Sequence, residues 1–300
     1  MSDNYNNPVE LSDDEKALLV ERKVTCPFIG SAVTESKLVV RNDAKDPLAS
    51  IEEVRMLGNI GGGDLGDLLV VFAKGNHAFM RGNSGKLNKK VPEGLFSLEF
   101  PGSQGSHPGH SGILQGDPEI PDSGRLSQAD FARLTSRARD GWIKRSDVGS
   151  FIAENLLKDP KSKVFGEKTA ELLASDFVSF AETVGPSLMS RLFGSDKDAS
   201  TDQRDLLVKL TKLLGEDNLV GSAGEFGLLF AMLANKPGTK EIDSEPAIAV
   251  EDLKAMFVDK RLPDGWESWK KTRIDWIKNT TGLLAGAAKC LVIAKRKRGL

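Results

Sequence analysis

Residues 250–266 read VEDLKAMFVDKRLPDGW, and this stretch decides the fold class. Apolar residues recur at spacings of three and four over 250–260, the period of a helix that buries one face, and Pro263-Asp264-Gly265 then turns the chain. The same pattern repeats outward from there. Upstream, 222–233, 206–214 before Gly215, and 172–180 carry it, as do the segments behind Ser146 (Val148, Phe151, Ile152, Leu156) and Ser127 (Phe131, Leu134). Asp64 opens a further run at 65–74 that Gly75 closes, and 266–294 reads as two helices. Ser12 with Glu15, and Ser50 with Glu53, have the spacing of a capping box, in which two side chains satisfy free backbone donors at a helix start. The pattern predicts an all-α protein.

Between Gly75 and Gly124 the composition changes to Gly, Ser, Pro, Asn and His, with short apolar pieces such as 95–100. Around 76–124 the sequence therefore predicts a long irregular loop, and loops of that length more often carry function than merely connect. A shorter solvated linker is expected at 195–202. The organisation read from these shifts is an N-terminal extension over 1–20, one domain over 21–270, and a C-terminal helix with a basic tail over 271–300.

Three hundred residues with 39% hydrophobic and 28% charged side chains suit a folded globular chain and exclude collagen-like and wholly disordered classes. Forty-one basic against forty-three acidic groups leave a net charge of −2, so no global field draws a polyanion, and nucleic acid is not an expected partner. The two cysteines, Cys26 and Cys290, have no zinc-site or disulfide-framework spacing. With Asp13, Asp14 and Glu15 ahead of any apolar run, no secretory signal is read, and the expected location is cytoplasmic. The apolar run 282–294 is too short to span a bilayer, contains Lys289 and ends in Lys295-Arg296-Lys297-Arg298. It reads as a packed helix or as a weak membrane-surface contact through the basic tail.

Two segments, Asp122-Ser123-Gly124-Arg125-Leu126 and Asp140-Gly141-Trp142-Ile143, look like the middle of a calcium loop. Aligned on their glycines, both place Pro121 or Ala138 where an oxygen ligand is needed and Asp130 or Asp147 where a bidentate Glu belongs, so the alternative is two helix starts after a Gly turn.

The chemistry-bearing residues begin with Cys26-Pro27, a cysteine just before a helix with proline in its first position. There the free N–H groups and the positive end of the helix dipole favour a thiolate, lowering its pKa and making it a nucleophile or metal ligand; the alternative is a small buried hydrophobe. Glu225 has capping-box spacing to Ser222, which leaves catalysis and capping both open for it. Trp266, Trp269 and Trp276 read as core or as cofactor contacts.

The order of several segments resembles the haem-thiolate peroxidases, the family of chloroperoxidase and the unspecific peroxygenases. Cys26-Pro27 is similar to that family's proximal Cys-Pro, and 31–42 occupies the place of its next helix and Pro-Arg-Asp/Asn-Gly turn. Residues 50–54 look like the following helix start. Glu119-Ile120-Pro121-Asp122 with 126–131 resembles the Glu-His-Asp or Glu-Gly-Asp segment, and Gly224-Glu225-Phe226 the segment of the distal glutamate. The match is most specific at Lys260-Arg261-Leu262-Pro263-Asp264-Gly265-Trp266, and the resemblance covers about residues 20–270.

What the resemblance implies is a single-domain, chloroperoxidase-like helical fold that holds haem b. Cys26 and Pro27 would bind it, Cys26 as the axial ligand of the iron, with Glu225 on the peroxide side and a Mg2+ or other divalent cation near Glu119 and Asp122. The activity implied is peroxidase or peroxygenase: hydrogen peroxide is used to oxidise or oxygenate a small organic substrate. A thiolate ligand favours O–O cleavage, and a carboxylate moves a proton between the peroxide oxygens.

The chain departs from the family at Pro121, which stands where short members have histidine. Around Asn218 no arginine takes the position that long members use. The distal partner of Glu225 must come from elsewhere, and His107 and His110, a His-x-x-His pair just upstream, are the candidates, either over the iron or as a metal pair. The competing function is a non-catalytic carrier or interaction protein of the same fold, with or without haem.

Overall fold

The computed structural model describes residues 7–24, 26–42, 47–59, 94–98, 124–158 and 218–298. Among them run helices α1 (Asp13–Lys23), α2 (Pro27–Thr34), α3 (Ile51–Gly58), α4 (Gln128–Thr135), α5 (Arg145–Lys158), α6 (Asn218–Leu233), α7 (Val250–Phe257) and α8 (Arg273–Arg298). Short strands intervene: β1 (Arg41–Asn42), β2 (Pro47–Ser50), β3 (Leu95–Ser97), β4 (Trp142–Lys144), β5 (Glu241–Ile242) and β6 (Glu245–Ala249). The helices predicted at 65–74, 172–180 and 206–214, the linker at 195–202 and most of the loop at 76–124 lie outside the described residues.

The predicted starts are where several helices begin. Ser12 closes the full capping box with Glu15. Ser50 and Ser127 accept the N–H of Glu53 and Asp130, each at 3.4 Å. Glu53 does not reach back to Ser50; its carboxylate pairs with Arg41 and accepts the Val39 N–H at 3.3 Å, tying α3 to the chain before β1.

The all-α expectation needs correction, because the chain is helix-rich with two small antiparallel sheets. One has the order β1-β2-β3 with Ala49 opposite Phe96; the other is β4-β6-β5 with Ile143 opposite Ile248. Segments this short show no period that separates strand from loop, and only the partner strand satisfies their buried backbone groups. β3 falls within the predicted loop and is buried.

The second sheet joins two helix–loop–helix units, α4 to α5 and α6 to α7. In the first, Asp140 (φ 50°) and Gly141 (φ 80°) make a two-residue turn across which Arg139 and Trp142 exchange both backbone hydrogen bonds. Asp243 of the second loop takes Lys144 at 3.0 Å and Arg139 at 3.2 Å, so lysine and arginine supply its positive charge.

The stretch predicted as two helices after Trp266 is a turn followed by α8 alone. Trp266 N–H donates to Pro263 O and Ser268 N–H to Gly265 O, and Thr272 then accepts the Asp275 N–H at 3.1 Å to start the helix. α8 packs along α6 and α5, burying Leu283, Leu284, Ala287, Ala288 and Leu291, which is the packed outcome for the apolar run. The crossing with α6 is close: a Cβ at Gly227 would run into Thr280. Among the described residues no helix is long and apolar enough to cross a membrane.

Candidate functional site

The site forms where α1 ends and α2 begins. Cys26 is the N-cap of α2 and Pro27 its first residue, whose fixed φ suits the first turn and whose missing N–H costs nothing there. α2 is buried from Pro27 to Val33. Phe28 stacks on Trp266 at 5.4 Å, Ser31 Oγ donates to Pro27 O at 2.8 Å and to Met256 O at 3.4 Å, and Glu35 accepts the Leu262 N–H at 3.2 Å. The helix behind Cys26 is thus strapped along its length to α7 and the turn after it.

Glu225 sits in the second turn of α6, because that helix begins at Asn218 and not at Ser222. Ser222 is wholly buried within the helix, so the capping account of Glu225 falls. The neighbouring Phe226 packs edge-on against Phe151 at 6.4 Å, and Trp276 donates its indole N–H to Gly224 O at 3.0 Å, fixing this turn of α6 against α8. Glu225 is half-buried, its Oε2 is sealed from solvent, and its charge reaches the Cys26 sulfur.

The third member is Lys260, just beyond α7. Its Nζ donates to Gly124 O at 3.4 Å, and Gly124 in turn donates its N–H to Glu21 O at 2.9 Å. Gly124 lies so close to the end of α1 that a Cβ would strike the Val20 and Val24 carbonyls. Burial pulls the Lys260 ammonium down to about 8, against the opposing pull of Glu21 and Cys26.

Cys26 corrects the expectation of a low thiol pKa. As a residue it is half-buried, but its sulfur is desolvated, and this pushes the thiol up to about 11. The Ile29 amide opposes the rise, Glu225 adds to it, and the Phe28 amide and Lys260 oppose it less. Neither amide closes a side-chain cap on the sulfur. Burial therefore outweighs the helix end on which the sequence argument relied.

Cys26 and Pro27 adjoin at the start of α2, and Glu225 stands within electrostatic reach of the Cys26 sulfur. His107, His110, Glu119 and Asp122 lie outside the described residues, and with them the first of the two calcium-like loops up to Ser123. Among the described residues no group of three or more metal-ligating side chains occurs. The three tryptophans belong to the core: all are buried, and the indole N–H groups of Trp266, Trp269 and Trp276 donate to Leu57 O, Met232 O and Gly224 O at 2.8, 2.7 and 3.0 Å.

Sequence reasoning missed Lys260 as a site residue. A lysine at the end of a helix reads as a solvated cation at the negative end of the dipole, and its inward turn depends on Gly124, remote in sequence.

A cationic group near Cys26 and Glu225 suits the charges of these residues. Two acidic groups within electrostatic reach disfavour each other's ionised forms, and a cation reverses that penalty for both. The donor set also suits iron: a soft sulfur at a helix start, with a carboxylate to handle protons nearby. No protein-family model, curated protein or solved structure matches the chain.

Proposed function

We propose that this protein is a haem-thiolate peroxidase or peroxygenase that uses hydrogen peroxide to oxidise a small organic molecule. The observation that carries this reading is a Cys26 sulfur, at the start of a helix buried from Pro27 to Val33, within electrostatic reach of the partly sealed carboxylate of Glu225 from a helix some two hundred residues later.

Cys26 would hold the iron of haem b. When bound, that group supplies the redox chemistry by which a peroxide O–O bond is cleaved. The chain's own residues do the rest. Pro27 and the strapped helix behind it keep the sulfur at one place, and the amides of Ile29 and Phe28 lend it partial positive charge. Glu225 takes a proton from one peroxide oxygen and gives it to the other, a role that suits a carboxylate partly withdrawn from water. Trp276 holds the Gly224–Glu225 turn against α8 and so fixes where that carboxylate stands. His107 and His110 are the residues we assign to assist Glu225.

Purified protein loaded with hemin should show an absorption spectrum, and a reduced carbon monoxide adduct, of sulfur ligation. Cys26→Ala should lose that signature. Glu225→Gln should keep it while slowing peroxide turnover by about 10²-fold or more, the usual worth of a positioned acid–base group. Nitrogen ligation in the wild type would remove Cys26 from the reading. Thiolate ligation with equal turnover in wild type and Glu225→Gln would make the protein a haem carrier.

A further inference from the structure

Among the described side chains of α8 the last buried one is Leu291, yet the helix runs on to Arg298, about 10 Å further. Over this end Lys289, Ile293 and Lys297 are exposed, and their spacing of four puts them on one face. Ile293 is 44% exposed, one of three large apolar side chains left so open among the described residues. Charge gathers here as well. Residues 273–298 hold seven basic side chains and one acid, Asp275 in the first turn, against thirty-four and forty-two in the rest of the chain. A helix dipole accounts for cations in the last turn. It does not account for Lys289, about two and a half turns from the end, nor for an isoleucine standing in water between two lysines.

We propose that this end of α8 docks on an anionic membrane surface, its cations against lipid headgroups and Ile293 in the acyl boundary beneath them. The inference is independent of haem binding. Cations on a helix face with an apolar side chain among them are what an interfacial helix presents, and each basic residue near an anionic leaflet adds about fivefold to binding. Nucleic acid matches the charge but gives Ile293 nothing apolar to enter. The inward face of α8 is already committed, with Leu283, Leu284, Ala287, Ala288 and Leu291 buried as the helix packs along α5 and α6, so docking uses only its outer face and far end. The rest of the chain is net acidic and is repelled by the same leaflet, which leaves α8 as the point of attachment.

The test is co-sedimentation of the full chain with phosphatidylcholine vesicles containing about 30% phosphatidylserine, and with phosphatidylcholine alone. Binding is expected to the first only, and strong salt should release it by screening the headgroups. Lys289→Glu combined with Lys297→Glu should weaken binding about 25-fold or more, and Ile293→Asn about tenfold. The same change of net charge elsewhere, Lys254→Glu on α7 with Lys270→Glu in the turn before α8, both exposed, should bind within about twofold of wild type. Circular dichroism melts first establish that each variant is folded. Failure to bind the anionic vesicles, equal binding to both vesicle types, or equal loss in the two lysine pairs overturns the proposal. So does wild-type binding by Ile293→Asn, or displacement from the vesicles by a DNA oligonucleotide of matched charge.

Discussion

At the start of α1 the Ser12 hydroxyl accepts the Glu15 N–H, and the Glu15 carboxylate answers by accepting the Ser12 N–H at 2.8 Å. At the start of α2 Cys26 holds the same position and closes no cap. The first turn of α1 carries Asp13, Asp14 and Glu15; that of α2 carries no acid. The acid at the first start is stabilised as the anion, Glu15 being held below its usual range by the Ser12 hydroxyl and amide, whereas the acid at the second, the Cys26 thiol, is pushed up by burial. One start uses its side chain for helix stability. The other forgoes about 1 kcal/mol of capping and places a thiol there instead. Consecutive helices that differ in this way separate a structural rule from its deliberate breach, and breaches of local rules concentrate where chemistry is done.

The largest way to break the comparison is to remove what seats α2 while leaving α1 its cap. Trp266 is 2% exposed, stacks on Phe28, meets Trp269 edge-on at 5.7 Å and donates to Leu57 O. Trp266→Ala should cost about 3–5 kcal/mol in urea unfolding, the usual range for a buried large aromatic. Hydrogen exchange should show protection lost in α2 and retained in the first turn of α1. Equal loss in both helices would mean that α2 is not seated by this ring.

Much of this comparison could be read from residues close in sequence. Ser12, Ser50 and Ser127 cap helices because a hydroxyl and an amide three residues apart need no distant partner. Cys26 at a helix start was legible for the same reason. What could not be read is whatever depends on segments far apart. β3 is a strand only because β2 lies beside it. The Cys26 thiol is pushed up because burial in the folded chain desolvates its sulfur, so a local dipole argument gave the wrong sign. Glu225 looked like half of a capping box because Ser222 stands three residues before it, and Gly221, Gly224 and Gly227 argue against an earlier helix start on propensity alone. Packing decides instead: Gly227 lets Thr280 of α8 approach, and Trp276 reaches Gly224 O.

A pH series sharpens the same contrast with a middle-sized effect. Cys26 titrates near 9.0 when unfolded and at about 11 when folded, so between these values the unfolded chain has lost a proton that the native chain keeps. Stability from this group is complete below pH 9 and lost as pH rises through 11, on the order of 2–3 kcal/mol. Lys271 works in the other direction. It is 2% exposed, its Nζ lies 4.3 and 4.6 Å from the Trp266 and Trp269 ring centres and donates to both their carbonyls, and burial brings it from 10.5 to about 8. The native chain gives up that proton first, so stability rises from pH 8 to 10.5. Unfolding free energies across pH 7.5–11 should therefore show the wild-type minus Cys26→Ala difference falling and the wild-type minus Lys271→Met difference rising. A flat first difference would place the sulfur in water.

The smallest effect isolates the breach itself. If Cys26 occupies a capping position without capping, a better cap there should make the haem-free chain more stable, an unusual outcome for a substitution at a buried position. Serine is the one-atom change that supplies it: its oxygen is smaller than sulfur, accepts a hydrogen bond more strongly, and meets the Ile29 N–H that already points toward the side chain. Cys26→Ser should gain about 0.5–1 kcal/mol in urea unfolding at pH 7, while Ser12→Ala, the matched change at α1, should lose about as much. The opposite signs are the content of the prediction, because packing loss alone would make both variants less stable. A gain at Cys26 combined with loss of sulfur ligation on hemin loading would identify a position kept for its sulfur at a measurable cost to the fold. A loss there would show that the thiol contributes packing that an oxygen cannot replace, and the contrast between the two helix starts would reduce to one of size.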